Sequence, residues 1–541
     1  MRHNPRHLNS IPDPDPGTNQ LQLPTAPSPY SGTGRRSGRN ARKNEDRIVV
    51  VGAGIGGLSA AIHLAAAGHR VSLVEQNDTV GGKMSRMHKL GFTWDTGPSV
   101  ITMRYVFDDL FAVAGRRLDD YLTLVPVEPV TRYFYPDGIV LDATRDLPRM
   151  SSQIAALNPH DVEGYLGFLA HAAALNRVTG PVFVHGDPPS LRQILRVPPA
   201  DMVQVDVWRT IHTAIRRWVR DPHLQQMLGR YATYVGASPY KAPAVLNVIA
   251  HTELTEGIWY ARGGIYAIAQ AFERLARELG AEIHTGTRAT GITIDTTGTV
   301  TGVQLEDGER LECTAAVANV DVTTVYRDLL PKAFAAKRLR RLLRVAPSIS
   351  GFVLLLGLRG ATPGLAQHNI LFTSNYRQEF REIFTENTAP TDPTVYISIS
   401  SQQDPEHAPA GCENWFVMVN APPLSTAFSW KARGEEVRNR VLRKMATMGF
   451  DVQPRIVTET YLTPNDLQTR TGAWRGSLYG LSSNQPLNAL RRPHPRDPEI
   501  RGLYFTGGTT HPGGGVPMVT LSGGVAARMV ALDLAQGRLS R

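Results

Sequence analysis

The stretch from Arg47 to Glu75 constrains this chain most. It opens with Ile48 to Val51, a β-branched apolar run of the kind that forms a strand buried on both faces. Gly52-Ala53-Gly54-Ile55-Gly56-Gly57 follows and fits G-x-G-x-x-G. Leu58 to Ala67 is rich in Ala and Leu, lacks Pro and is followed by Gly68, as a helix closing on a C′ glycine would be. Val71 to Val74 reads as a second strand, and Glu75 follows it. This order and spacing are those of a dinucleotide-binding βαβ unit. Gly52 takes the dihedrals of the tight turn, Gly54 leaves room for a pyrophosphate, and Gly57 lets the helix lie close on the strand. N–H groups at the helix start face the phosphates. Glu75 suits a ribose diol, and its charge disfavours a 2′-phosphate. Gly52, Gly54, Gly56, Gly57 and Glu75 are the first cofactor-binding candidates.

A chain of 541 residues is too long for one compact core. Its formal charge is +10, part of it carried by the N-terminal tail. No nucleic-acid-binding module or aromatic-basic platform accompanies that charge, so an anionic membrane surface is the better partner and nucleic acid is not expected. Cys313 and Cys412 lie far apart, which indicates neither a disulfide framework nor a metal site, and points to a reducing compartment. No apolar run is expected to reach the roughly 18–20 residues of a membrane-crossing helix. Residues 1–46 are rich in Pro, Ser, Asn, Gly and Arg and are expected to be a disordered tail without a signal-peptide h-region.

Beyond Glu75 a second glycine cluster appears. Gly81-Gly82-Lys83 is followed by Asp95-Thr96-Gly97-Pro98-Ser99. Together these resemble the FAD-binding start of the phytoene-desaturase and amine-oxidase flavoproteins. The resemblance implies that Gly81, Gly82 and Lys83 lie along the FAD diphosphate and ribityl, with Lys83 a cation near phosphate. It implies that the segment Gly97, Pro98, Ser99 passes the flavin ring. Arg104, just after it, is open to either substrate or solvent.

From about 138 to 260 the pattern turns helical. In Asp206 to Val219, one face collects Val207, Trp208, Ile211, Ile215, Trp218 and Val219, with Arg209, His212 and Arg216 elsewhere. Such a face suits a membrane interface, and a core-facing helix shows the same pattern. Gly263-Gly264 precedes an amphipathic helix built on Ile268, Ala271, Phe272, Leu275 and Leu279. A strand at Gly280 to Gly286, two alternating segments joined across Asp307-Gly308, and a buried strand at Ala315 to Asn319 follow. This block resembles the middle FAD segment of the carotenoid desaturases, which implies that the backbone around Arg288, Ala289 and Thr290 touches the adenine side of FAD. Ser348 to Gly357, Thr394 to Ser401 and Trp415 to Asn420 read as strands of a mixed sheet under the substrate.

The last glycine-rich turn runs Gly507-Gly508-Thr509-Thr510-His511-Pro512-Gly513-Gly514-Gly515-Val516-Pro517-Met518 and opens a helix from Leu521 to Ala535. The resemblance lays Gly508, Gly515, Val516 and Met518 against the ribityl and isoalloxazine. The amine-oxidase branch carries an acid where this chain has Gly508, a departure shared with the carotenoid desaturases. His511 is the candidate proton acceptor.

The fold expected is α/β: a Rossmann-type FAD-binding domain assembled from three chain segments (47–122, 261–345 and 472–541), a mixed-sheet substrate domain (123–137 and 346–471) and a helical, membrane-facing insert (138–260). The resemblance implies an FAD-dependent carotenoid desaturase at the cytoplasmic face of a membrane. It would act on an acyclic carotenoid, partly desaturated or 1-hydroxylated substrates included, and pass electrons to oxygen or a quinone. A carotenoid cis–trans isomerase, a terminal-methyl carotenoid oxidase, a flavin amine oxidase and a non-catalytic lipid-binding protein are the alternatives.

Overall fold

The computed structural model describes residues 47–181, 205–206, 208–485 and 492–539. The expected tail, residues 1–46, and Val207 lie outside them. The first strand, Arg47–Val51, runs at the centre of a five-stranded parallel sheet. The sheet order is Leu503–Phe505, Ala315–Ala318, Arg47–Val51, Arg70–Val74, Glu282–His284. Strands distant in sequence are therefore neighbours. Ile48 and Val50 enter one core, and Val49 and Val51 the other, which explains why the run carries no alternation.

One face of this sheet is covered by the helices Ile55–Ala66, Tyr266–Glu278 and Val516–Ala535. The last two helices begin at or before the residues expected from sequence. A three-stranded antiparallel sheet, Ala289–Ile294, Val300–Leu305 and Arg310–Glu312, contributes to the core on the other face. Val516–Ala535 packs on Ile55–Ala66 with almost no spacing. A Cβ on Gly523 would stand 2.6 Å from the backbone oxygen of Gly56 and the nitrogen of Ala60, and Ser59 Oγ donates to the Thr520 carbonyl at 2.6 Å. By length and composition Val516–Ala535 is long and apolar enough to cross a membrane, contrary to expectation, but most of it is buried here. Its apolar length serves the core.

The second sheet has seven strands in the order Ile456–Leu462, Ser350–Arg359, Cys412–Ala421, Val395–Ser398, His368–Leu371, Thr131–Phe134, Val140–Ala143. All its pairs are antiparallel except Thr131–Phe134 with His368–Leu371. Phe352, Leu354, Leu356 and Val417 pack on one face with Trp430, Val437, Val441 and Met445 of the helix Trp430–Thr447. Val353, Leu355 and Phe416, on the opposite face, pack with Phe92 and Trp94. The stretch expected as a helical insert starts with one of these strands, Val140–Ala143, before the helices Leu147–Leu157 and Asp161–Thr179.

The long amphipathic helix expected over Asp206 to Val219 is reduced to Ile211–Ile215, capped by Thr210, whose hydroxyl accepts from the Thr213 N–H at 3.2 Å. Its apolar face is covered. Ile211, Ile215 and Val219 are fully buried in a core shared with Tyr165, Phe168 and Leu224. Trp218 is held against Asp161–Thr179, where Gly164 and Gly167 leave it room. Among the described residues of that face, Trp208, 91% exposed, is the one that stands out.

Gly164→Ala tests this packing. A Cβ at Gly164 would lie 1.8 Å from the Trp218 carbonyl oxygen, so one segment must move. The variant is expected to lose about 1–3 kcal/mol of stability in urea titrations, as overpacked sites do.

Candidate functional site

The carboxyl ends of the parallel strands meet at one edge, where open α/β sheets bind ligands. Gly52 leaves the first strand at φ +97°, a conformation few other residues adopt. Asn319, just after Ala315–Ala318, reaches into the turn, with Nδ2 donating to the Gly52 carbonyl at 3.2 Å. A Cβ on Gly54 would stand 2.7 Å from Asn319 Nδ2, and one on Gly56 2.8 Å from its Oδ1 and 3.0 Å from Gly507. A Cβ on Gly57 would strike the Gly52 carbonyl at 2.1 Å. The sequence identified the glycines but passed over Asn319 as the end of a strand. No motif marks it, because the turn it braces lies 267 residues earlier.

Helix Ile55–Ala66 starts at Gly54 without a side-chain cap, and Val516–Ala535 starts the same way at Gly515, φ +111°. Both helix starts offer backbone donors and a positive dipole end to an anion or electron-rich ring. Val516 is buried and Met518 half-buried in the first turn of the second helix. Glu75 caps the loop from the next strand. Its carboxylate accepts from the Ala53 N–H at 2.8 Å and from the backbone and side-chain N–H groups of Asn77 at 3.0 and 2.6 Å. The N–H of Thr287 donates to the Glu75 carbonyl at 2.7 Å, which sets Ala289, two residues on, beside the same segment.

Gly81 joins the edge through a parallel bridge to Gly54, its N–H donating to the Ala53 carbonyl at 2.8 Å. Gly82, φ +61°, would bring a Cβ within 3.2 Å of the Gly54 Cα. Lys83 Nζ donates to the carbonyls of Leu478 at 2.6 Å and Ser477 at 3.3 Å, which ties this cluster to the last segment. Burial lowers the ammonium to about 8, against the pull of Asp321. Gly97 lies tight on Lys83, where a Cβ would be 2.0 Å from its carbonyl oxygen. Asp95 caps the helix Tyr266–Glu278, accepting from the N–H groups of Ile265 and Tyr266 at 2.7 and 3.2 Å. Pro98 is exposed, and Ser99 turns to the other sheet, its Oγ 2.5 Å from Tyr396 Oη.

Gly508 is half-buried opposite Gly514. His511 is buried. Its N–H donates to the Pro493 carbonyl at 3.3 Å, and its carbonyl accepts from Ser522 Oγ at 2.8 Å. Arg104 stands apart from this edge, paired with Asp119 at 2.6 Å and Asp108 at 3.4 Å.

The edge thus gathers backbone that excludes side chains, two uncapped helix starts, a ribose-type carboxylate and a buried cation. Two buried polar atoms there also lack a partner among the described residues. One is Ser477 Oγ, and the other is Arg492 Nη1, which lies against Gly513. This donor set fits a flavin dinucleotide.

A family model described as flavin containing amine oxidoreductase matches residues 55–531. A 4,4'-diapolycopene oxygenase of Methylomonas sp is 37% identical, over 92% of this chain and all of its own. A 4,4'-diaponeurosporene oxygenase of Staphylococcus haemolyticus is 36% identical, over 91% of this chain and 98% of its own. Among solved structures, an oxidoreductase from Methanosarcina mazei covers 90% of this chain and 100% of its own, with a TM-score of 0.61 at 17% identity. A putrescine oxidase redesigned in cofactor binding covers 90% and 99%, with a TM-score of 0.60 at 14% identity. These two share the fold. The cofactor of the chain is FAD.

An anion beside Lys83 favours its charged form, so FAD affinity is expected to fall as pH rises past about 8. Lys83→Met is expected to weaken FAD binding about tenfold to a hundredfold, as loss of a charged hydrogen bond does, and to flatten that pH dependence. Flavin fluorescence titrations of the apoprotein measure both. Without FAD the sign reverses. The unfolded chain keeps a Lys83 proton between about 8 and 10.5 that the folded chain has shed. Over that range the stability of wild-type apoprotein rises relative to Lys83→Met.

Proposed function

The chain belongs to the flavin-containing amine oxidoreductase family, and from that membership we propose that it oxidises an acyclic carotenoid, introducing oxygen at the end of the polyene. The observation that carries this reading is the likeness, along almost the whole length of each relative, to proteins named as diapolycopene and diaponeurosporene oxygenases. The sequence motifs shared with carotenoid desaturases support the same substrate class and keep desaturation as the second reading.

When bound, FAD supplies a two-electron acceptor at its ring system. The chain's own task is to hold a long apolar substrate against that ring and to exclude water. Val353, Leu355 and Phe416 pack with Phe92 and Trp94, whose rings stack 5.5 Å apart, into a buried apolar layer that keeps water out. In this reading His511 takes up a proton beside the ring, its loop braced by Ser522. Molecular oxygen is the co-substrate for oxygenation, and oxygen or a quinone takes the electrons in desaturation. Substrate is drawn from a membrane at its cytoplasmic face. The exposed Trp208, near the exposed Arg216 and Arg217, supports surface attachment.

Expression in hosts that accumulate acyclic carotenoids, under heavy-isotope oxygen, separates the readings. Labelled oxygen in the product is the expected outcome. Loss of two hydrogens per step without label replaces oxygenation with desaturation, and unchanged mass replaces both with isomerisation. His511→Ala is expected to abolish turnover with FAD still bound. Full activity in that variant removes His511 from the reaction.

A further inference from the structure

The apolar face of the seven-stranded sheet has a polar interruption. His368 and Tyr396 stand on adjacent strands, His368 in register with Ser398. Their rings stack with centroids 6.0 Å apart. Tyr396 Oη lies 2.8 Å from His368 Nδ1 and 2.5 Å from Ser99 Oγ. A three-member chain of hydrogen bonds thus links the segment after Gly97 and Pro98 to the floor of the sheet. It ends without a partner. His368 is fully buried, and its Nε2 has none among the described residues.

The surroundings define what can partner that nitrogen. Arg230, paired with Glu253 at 3.1 Å, acts on His368. Burial first, and Arg230 second, push the imidazole down to about 3. The ring is therefore neutral, with one nitrogen committed to Tyr396. Burial disfavours a charged group of either sign: a cationic amine also meets Arg230, and a carboxylate gains little from a guanidinium already given to Glu253 and to the hydroxyl of Tyr133 at 3.1 Å. A pure hydrocarbon leaves Nε2 buried and unpaired, which is costly. A neutral hydroxyl or carbonyl satisfies it. A hydroxyl does so whichever nitrogen holds the proton, and a carbonyl does so when Nε2 carries it.

We infer that His368 Nε2, oriented by Tyr396 and Ser99, binds the neutral oxygen at the partly oxidised end of a polyene. This rests on the carotenoid reading above. The site distinguishes a first product from the starting hydrocarbon and retains it for further oxidation.

The test uses the full-length FAD-loaded protein with two probes, an acyclic polyene aldehyde and its parent hydrocarbon. Wild type is expected to bind the aldehyde about tenfold tighter than the hydrocarbon, the scale of one buried hydrogen bond. Its absorption band is expected to shift to the red as the carbonyl accepts that bond. His368→Leu is expected to lose both the preference and the shift. Tyr396→Phe, which keeps the ring and removes the orienting hydroxyl, is expected to lose part of each and serves if His368→Leu fails to fold. An aldehyde preference unchanged in both variants, or no preference in wild type, overturns the inference. Product labelling judges the oxygenation reading separately, since binding is read without turnover.

Discussion

At the carboxyl edge of the parallel sheet, the glycine turn and Gly507 come so close that one side chain, the amide of Asn319, takes the space left. Gly57 meets the Gly52 carbonyl, Gly56 meets Gly507, and Asn319 fills the remaining space with its amide. This contact is what the rest depends on. It aims two helix starts at one place, and it brings Lys83 under the carbonyls of Ser477 and Leu478. The helices behind it repeat the same economy of space, with Gly523 pressed on Gly56 and Ala60. A methyl group at these points pushes apart the segments that form the cradle.

The second sheet packs on both faces. Residues two apart along a strand share a face, so Val353 and Leu355 meet Phe92 and Trp94 together with Phe416. The opposite face is anchored by the helix Trp430–Thr447. Some buried polar groups are paired, Arg230 with Glu253 and Asp95 with the start of Tyr266–Glu278. Others, His368 Nε2 and both amide atoms of Gln367 beside it, have no partner among the described residues.

Much of the cofactor side was legible from local pattern. The strands Arg47–Val51 and Arg70–Val74 and the helix between them follow from composition and glycine spacing, because each is set by residues within a few positions. The strands Ser350–Arg359 and Cys412–Ala421 were visible as apolar runs, the first displaced by two residues and the second shorter than it is. The segment around Ile211 was not. A hydrophobic stripe says only that a face avoids water, and core and bilayer satisfy it equally. Here Gly164 and Gly167, about fifty residues away, decide for the core by admitting Trp218. Arg104, ambiguous in sequence, is held by Asp108 and Asp119, of which only Asp108 is near in the chain.

The amino-acid order alone was enough for the first strand, the glycine turn, the helix and the second strand, since turn dihedrals and helix starts are local properties. Which remote residues complete that unit was settled by folding. Asn319 enters the glycine turn because parallel strands place the ends of Arg47–Val51 and Ala315–Ala318 side by side. Ser99, Tyr396 and His368 form one chain of hydrogen bonds only after the segment beyond Gly97 has packed on the seven-stranded sheet. Such meetings are set by strand order and register, to which sequence proximity contributes nothing.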